Sequence, residues 1–214
     1  MTAPRIVVLD YGSGNLRSAQ RALERIGAQV EVSSDESTAR DADGLVVPGV
    51  GAFGTCMAGL DAVSGPRIIQ GRLAAGRPVL GICVGLQVMF SAGTESSDAG
   101  LIPGLGLWPG IVERLHAPVL PHMGWNSLRA SPGSRLLAAV ADQRFYFVHS
   151  YGVLTWQEPS ERVGSQAAMV SLSHHGEDFV AAVEDGPLSA VQFHPEKSGD
   201  AGLEVLAAWL ASID

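Results

Sequence analysis

Apolar and polar positions along the first 90 residues follow two alternating periods. Short apolar runs typical of buried strands are separated by segments in which apolar residues recur every three or four positions, and that spacing predicts amphipathic helices. Strands that alternate with helices predict a parallel sheet covered on both faces, with sites at the carboxyl ends of the strands. The predicted strands are 5–10, 30–32, 44–47 and 78–82, and the predicted helices are 16–26, 53–60 and 68–75.

From Leu101 onward the chain consists of apolar pieces punctuated by proline and glycine, with strand rather than helix periodicity. The turn at 184–187 favours antiparallel pairing of its flanking strands. We therefore expect the second half to extend the same sheet, giving one α/β domain over residues 1–214 with a mixed, mostly parallel sheet and helices on both faces. The predicted strands here include 144–151, 167–173, 180–184 and 188–193, and a last helix covers 203–213.

The composition disfavours several classes of function. Hydrophobic residues make up 46% and charged residues 17% of the 214 positions, as in a well-buried globular protein. The net charge of -8 and the absence of a Lys/Arg run disfavour nucleic acid and anionic membranes as partners. The apolar run before Asp10 is too short for a signal peptide or a membrane span, so we expect a cytoplasmic location. Two cysteines and no metal-type spacing predict free thiols, no metal and no cofactor.

The sequence GICVGLQ at 81–87 predicts a nucleophile at a sharp turn. It follows a short apolar strand and opens onto a segment with helical spacing that runs to Phe90, so Cys83 lies between strand and helix with Gly81 and Gly85 on either side. This is the thiol counterpart of the G-x-S-x-G elbow, in which small neighbours avoid collisions with the strand and the helix. The start of the helix also favours a thiolate and a developing oxyanion. The alternative is a buried structural cysteine that happens to lie between glycines.

A cysteine nucleophile needs a base, and His194 is the strongest candidate among six histidines. The sequence QFHPEKS places His194 at the end of an apolar strand, with Glu196 two residues later. A carboxylate at that spacing can hold the imidazole tautomer that accepts the thiol proton. His149 is ambiguous, and the remaining four, His116, His122, His174 and His175, are more typical of turns or of the surface.

Two glycine-rich turns follow predicted strands. The turn YGSGN at 11–15 lacks the third glycine of a dinucleotide fingerprint, since that position is Arg17, so we interpret it as a tight strand-to-helix turn. The loop PGVGAFG at 48–54 follows a buried strand, and its glycines allow a peptide plane to turn over. It can present an N–H group beside Cys83 if the two strand ends are neighbours, and otherwise it is an ordinary connecting loop.

These strings together resemble the triad-type class I glutamine amidotransferases, whose fold is flavodoxin-like. Within that family DYGSGN, PGVGAF, PHMGWN, FYFVHSY and FHPEKS are similar to the glutaminase subunits of imidazole glycerol phosphate synthase, and the resemblance extends from Asp10 to Ser198. It implies hydrolysis of L-glutamine to L-glutamate and ammonia through a cysteinyl thioester, in histidine biosynthesis.

The resemblance also implies a role for each matching residue. Cys83 is implied as the nucleophile, His194 as the base and Glu196 as the carboxylate that orients it. Backbone N–H groups of Val50 and Val84 are implied to form the oxyanion hole, after a peptide flip in the loop that contains Gly49 and Gly51. The residues implied to bind glutamine are Gln87, Glu95, His149, Ser150 and Tyr151.

A partner is expected because few residues follow Glu196, too few for a synthase domain. The resemblance implies a (β/α)8 cyclase subunit that receives the ammonia and forms a heterodimer with this chain. An apolar, aromatic set suits a stable interface and a dry ammonia path, although core packing is an alternative for Tyr146 and Met123. The matching interface positions are Asn15, Pro121, Met123, Trp125, Tyr146 and Lys197.

Other functions remain open at this level. A glutaminase component for an anthranilate or aminodeoxychorismate synthase has the same fold, although PHMGWN argues against it. A stand-alone cysteine hydrolase and a catalytically silent binding module are compatible with the fold alone. The residues do not decide the resting state of the loop 49–51, the motion of the polar loop 91–100, or the roles of His174 and His175.

Overall fold

The computed structural model describes residues 3–95, 100–159, 163 and 166–213. Of the polar loop 91–100, residues 96–99 lie outside this set. Within it, no helix is long and apolar enough to cross a membrane.

The helices are α1 Leu16–Arg25, α2 Glu36–Asp41, α3 Phe53–Ala62, α4 Gly65–Ala74, α5 Val84–Gln87 and α6 Gly199–Leu210, with a 3-10 turn at Pro195–Lys197. The strands are β1 Arg5–Leu9, β2 Gln29–Ser33, β3 Gly44–Gly49, β4 Val79–Cys83, β5 Phe90–Gly93, β6 Ile102–Pro103, β7 Trp108–Arg114, β8 His122–Arg129, β9 Arg144–His149, β10 Tyr151–Val153, β11 Met169–His175, β12 Glu177–Asp185 and β13 Leu188–Val191.

A large mixed sheet confirms the predicted α/β class. Its strand order is β2-β1-β3-β4-β13-β12-β11-β8-β9. The five strands from β2 to β13 pair in parallel, whereas those from β13 to β9 pair antiparallel, as the turn at 184–187 predicts. Parallel ladders therefore form half of this sheet rather than most of it. Every residue of β3, β4 and β13 is buried, so the sheet is covered on both faces at its centre.

A second, four-stranded sheet in the order β10-β7-β5-β6 was not predicted. The helix after Cys83 is also shorter than predicted, because α5 ends at Gln87 and Phe90 begins β5. Phe90 pairs with Trp108, both side chains are fully buried, and their ring centroids lie 5.3 Å apart. Burial of these aromatic rings outweighs the helical spacing of the local sequence.

The order of the central strands brings three sequence motifs to one edge. Gly49 at the end of β3 lies opposite Cys83 at the end of β4 in the parallel register. On the other side of β4, Val191 of β13 lies opposite Ile82, so the chain that follows β13 leaves the sheet beside the cysteine. The condition for the loop 48–54 to lie beside Cys83 is therefore met. Parallel strands end at a common edge, which is where sites in open α/β sheets form.

Candidate active site

Cys83 occupies a strained turn between β4 and α5. Its φ is +57°, a left-handed value that a residue with a side chain rarely adopts. A Cβ on Gly85 would lie 1.9 Å from the carbonyl oxygen of Val47, and one on Gly81 would lie 2.5 Å from that of Gly85. Both positions therefore require glycine, for the reason that the sequence pattern predicts. The strain is held by the surrounding backbone, and Cys83 itself is 3% exposed.

His194 and Glu196 form a buried pair next to this turn. His194 Nδ1 lies 2.8 Å from Glu196 Oε1, and both side chains are 2% exposed. The carboxylate accepts the Nδ1–H, so Nε2 is the nitrogen left for proton exchange, and it has no hydrogen-bond partner among the described residues. Burial works to lower the pKa of His194, but the Cys83 thiol and the Glu196 carboxylate raise that pKa to about 10. At neutral pH the imidazole therefore holds the proton that it can exchange with the cysteine.

A cavity of about 170 Å³ lies over Cys83 and His194. It brings together most of the residues predicted to bind substrate or an oxyanion. Glu95 takes part, and its carboxylate accepts the N–H of Phe53 while burial raises its pKa. Gly49 and Glu196 are not in the cavity wall but lie beside Cys83 in the sheet register and behind His194, respectively. The wall consists of Val50, Gly51, Cys83, Val84, Gln87, Glu95, Val148, His149, Ser150, Tyr151, His194 and Lys197.

The loop after β3 is held by hydrogen bonds on the side of the turn at 11–15. The Val50 N–H donates to Ser13 Oγ at 3.1 Å, and the Ser13 hydroxyl lies 2.6 Å from the Val50 carbonyl oxygen. The buried Cys56 thiol lies 3.2 Å from the same hydroxyl, and Tyr11 Oη donates to the carbonyl of Pro48. The Val50 N–H is thus engaged by Ser13 in this structure.

Several residues at the site are not among those predicted from the sequence to have a catalytic or binding role. Gln192 is fully buried, and its Nε2 lies 3.7 Å from Cys83 Sγ. His122, predicted to be a turn residue, is 4% exposed and lies 3.0 Å from His149. A signal for Gln192 was available, because strand alternation places residues two apart on the same face and Gln192 precedes His194 by two. Ser13 and Cys56 come close only through the packing of β1 against β3.

The predicted partner residues lie mainly around the β8–β9 edge of the large sheet. Met123 is 61% and Trp125 48% exposed, so neither is a core residue. Trp125 lies opposite Tyr146 in the β8–β9 register, with ring centroids 6.2 Å apart, and Lys197 Nζ lies 5.9 Å from the Tyr146 ring. Tyr146 is half-buried and Pro121 is exposed, whereas Asn15 is half-buried at the N-cap position of α1, without a side-chain capping hydrogen bond.

Comparison with known proteins identifies the family. The model of the family described as glutamine amidotransferase class-I matches residues 7–212. This chain belongs to the class I glutamine amidotransferases. Two proteins named imidazole glycerol phosphate synthase subunit HisH are similar to this amidotransferase. The one from Thermobifida fusca is 59% identical over 211 residues, which cover 98% of this chain and 99% of that protein. The one from Mycobacterium tuberculosis is 58% identical, with 98% of each chain covered.

The fold of this amidotransferase is also found among solved structures. The structure of PurLQS from Thermotoga maritima has a TM-score of 0.71 and 18% sequence identity, and the match covers 99% of this chain and 100% of that chain. At that identity the likeness concerns the fold alone.

The elbow predicts that Gly85→Ala is strongly destabilising. The added Cβ would meet the Val47 carbonyl at 1.9 Å, in backbone that cannot move without disturbing β3, so we expect the free energy of unfolding to fall by about 3 kcal/mol or more. Gly71→Ala is the matched control, because its Cβ meets nothing within 4 Å inside α4. It should raise the free energy of unfolding by up to about 1 kcal/mol. Equal effects in chemical denaturation would contradict this account.

The buried pair of His194 and Glu196 predicts that the free energy of unfolding depends on pH. The His194 pKa of about 10 in the folded chain lies above the ordinary 6.5, so its stabilising contribution is complete below about pH 6.5 and is lost as the pH rises to about 10. The difference in free energy of unfolding between wild type and His194→Gln should therefore be largest near about pH 6 and shrink above it. In a Cys83→Ala background, which lacks the thiol that raises this pKa, the loss should begin at lower pH. A difference that does not vary with pH contradicts the prediction.

Proposed function

We propose that this amidotransferase is the glutaminase component of imidazole glycerol phosphate synthase, hydrolysing L-glutamine to L-glutamate and ammonia and passing the ammonia to a cyclase partner in histidine biosynthesis. The observation that carries the proposal is that Cys83 and His194 line one cavity, with the Glu196 carboxylate hydrogen-bonded to His194 behind it. The specific synthase is supported by the names and the full-length similarity of the two HisH relatives.

The first half of the reaction forms a thioester. His194 Nε2 takes the proton of the Cys83 thiol, and the sulfur attacks the side-chain amide carbon of glutamine. The carbonyl oxygen becomes an oxyanion, for which the backbone N–H groups of Val84 and Val50 are the proposed donors. His194 then returns the proton to the leaving nitrogen, the C–N bond breaks, and ammonia departs.

The second half of the reaction regenerates the thiol. A water molecule gives a proton to His194 and attacks the thioester carbon, and collapse of the second tetrahedral intermediate breaks the C–S bond. Glutamate leaves and the sulfur recovers its proton from His194. The Glu196 carboxylate, hydrogen-bonded to His194 Nδ1, stabilises the imidazolium that forms in each half. The carboxylate of Glu95, in the same cavity, has the charge needed to bind the substrate's α-ammonium group.

The proposed cyclase partner binds the exposed apolar side chains of β8. Met123 and Trp125 present large apolar surfaces to solvent, and Val119 on the preceding loop is 69% exposed. Exposed aromatic and methionine side chains are enriched in protein interfaces. Lys197 links this edge to the active site, because it lies near the Tyr146 ring and also lines the cavity.

Coupling to the partner predicts a conditional glutaminase. Because the Val50 N–H is held by Ser13, one oxyanion donor is missing at rest, and a missing donor typically costs about 10²–10³ in turnover. We expect glutamate release by this chain alone to be at least about 10²-fold slower than release with the cyclase subunit and its ribulosyl substrate. The Cys83→Ala variant should be inactive in both conditions. Fast turnover without a partner would favour a stand-alone hydrolase.

The same hydrogen bond predicts a variant with higher resting activity. Ser13→Ala removes the hydroxyl that accepts the Val50 N–H, and the net value of about 1 kcal/mol for such a bond corresponds to a roughly fivefold rise in partner-independent glutamate release. The activity of the assembled, substrate-loaded complex should change much less. Ser18→Ala is the control, because Ser18 lies in α1 and its hydroxyl does not bond to Val50. If Ser13→Ala left the resting rate of glutamate release unchanged, the Ser13 hydrogen bond to the Val50 N–H would not be what limits resting activity.

A further inference from the structure

The carbonyl oxygen of Tyr151 fixes the direction of a buried hydrogen-bond network at the active site. Gln87 Nε2 lies 2.8 Å from this oxygen, and His149 Nδ1 lies 2.9 Å from it. A carbonyl only accepts hydrogen bonds, so both nitrogens must carry a hydrogen that points at it. The orientation of the Gln87 amide and the tautomer of His149 follow from this single acceptor.

The branch through Gln87 ends at the nucleophile. With Nε2 directed at Tyr151, Gln87 also donates from Nε2 to Gln192 Oε1 at 3.0 Å. The Gln192 amide must therefore present its Nε2 on the other side, where it lies 3.7 Å from Cys83 Sγ. The network thus directs an N–H donor, and not a carbonyl oxygen, at the sulfur. Gln192 is fully buried, so water cannot compete for this contact.

The other branch runs through His149 and His122 to Asn126, which faces a second carbonyl acceptor. Asn126 Nδ2 lies 2.9 Å from the carbonyl oxygen of His174 and 3.1 Å from His122 Nε2. The group that faces a carbonyl must be the NH2, so His122 Nε2 accepts and His122 Nδ1 carries the proton. Nδ1 then donates to His149 Nε2 at 3.0 Å, as the Tyr151 end also requires. The carbonyl groups at the two ends of this hydrogen-bond network therefore require the same tautomers of His122 and His149.

Burial keeps these two imidazoles neutral. Desolvation lowers the pKa of His122 to about 4 and that of His149 to about 3. His175, unassigned from the sequence, stacks on His122 with ring centroids 4.2 Å apart and lies with Nε2 2.8 Å from the carbonyl of Val119. His122 and His149 are thus fixed in both ring orientation and tautomer.

We infer that Gln192 is a further catalytic residue, whose side-chain N–H stabilises the Cys83 thiolate. In this inference His149 and His122 are positioning residues, because they hold the Tyr151 carbonyl that sets the orientation of the Gln192 amide. The inference rests on the proposed glutaminase function for its role in turnover, but the contact with the sulfur can be tested without substrate. The same orientation leaves Gln87 Oε1 buried and without a partner among the described residues, in the wall of the cavity. That oxygen is an acceptor suited to the N–H2 group of the glutamine side chain.

The first test measures the reactivity of Cys83 in the chain alone. Alkylation by iodoacetamide is followed against pH by mass spectrometry of the Cys83 peptide, which separates it from the buried Cys56. A hydrogen bond to a charged group contributes about 1.5 kcal/mol or more, so Gln192→Leu should slow alkylation at pH 7 about tenfold and move the profile to higher pH. Gln192→Glu, which places an anion beside the sulfur, should have a larger effect.

Gln143→Glu is the matched control, because Gln143 is exposed in the turn before β9 and should leave the profile unchanged. Thermal unfolding of each variant shows whether it is folded. Folded Gln192 variants with the wild-type profile would overturn the inference. If the profile shifts but the partner-loaded complex releases no glutamate even in the wild type, the contact holds and the proposed function fails.

The second test reads the tautomers directly. Histidine ¹⁵N chemical shifts at pH 7 should show His122 and His149 with the proton on Nδ1 and none on Nε2. His149→Leu should slow Cys83 alkylation about threefold, whereas His149→Asn, whose amide can replace the Nδ1–H donor, should largely retain it. A proton on Nε2 of His149, or equal effects of the two substitutions, would remove the positioning role.

Discussion

The adjacency of the carboxyl ends of β3, β4 and β13 is the constraint on which the active site depends. Because β4 lies between the other two, the strained turn at Cys83 has the loop from β3 on one side and His194 on the other. The close approach of Gly85 to the Val47 carbonyl holds the turn in place. The energetic cost of the left-handed backbone at Cys83 is met by this packing, since the surrounding strands leave it no alternative conformation.

Most side chains of the site are fixed by buried hydrogen bonds, whereas the Val50 N–H is bonded outside the site. His194 and Glu196 are buried and paired, and the amides of Gln87 and Gln192 have their orientations set by a single carbonyl. The Val50 peptide, by contrast, bonds to Ser13 on the far side of the loop. A prearranged cysteine and histidine can coexist with a proposed oxyanion donor, the Val50 N–H, that is bonded to Ser13 instead. In the proposed mechanism Cys83 and His194 can rest in place without turnover, because the developing charge of the tetrahedral intermediate is not yet stabilised.

The exposed edge at β8 and β9 connects these features to the surface. Trp125 and Met123 point to solvent, while His122 and Asn126 on the same strand reach inward to the buried network, as strand alternation requires for neighbouring positions. One strand therefore carries both the apolar surface proposed for the partner and the outer end of the network that reaches Cys83.

The sequence by itself determined the elements and the chemistry that local patterns encode. The central strands, the glycines around Cys83, the pairing of His194 with Glu196 and the antiparallel turn at 184–187 all follow from spacing within a few residues, where sterics and strand alternation act directly. The helix beyond Gln87 was overestimated, and the second sheet was missed, because burial of Phe90 against the distant Trp108 outweighs local periodicity.

Only the tertiary structure decided which distant groups share the site. Ser13 meets Val50 through the pairing of β1 with β3, and Gln192 meets Gln87 and Cys83 through the pairing of β13 with β4. His122 was assigned to a turn, yet it lies buried against His149 because β8 and β9 are paired. Hydrogen bonds of this kind depend on distances of about 3 Å between atoms that are far apart in the chain. Spacing along a sequence fixes which chemistry is available, but the order and register of the strands fix which atoms come within reach.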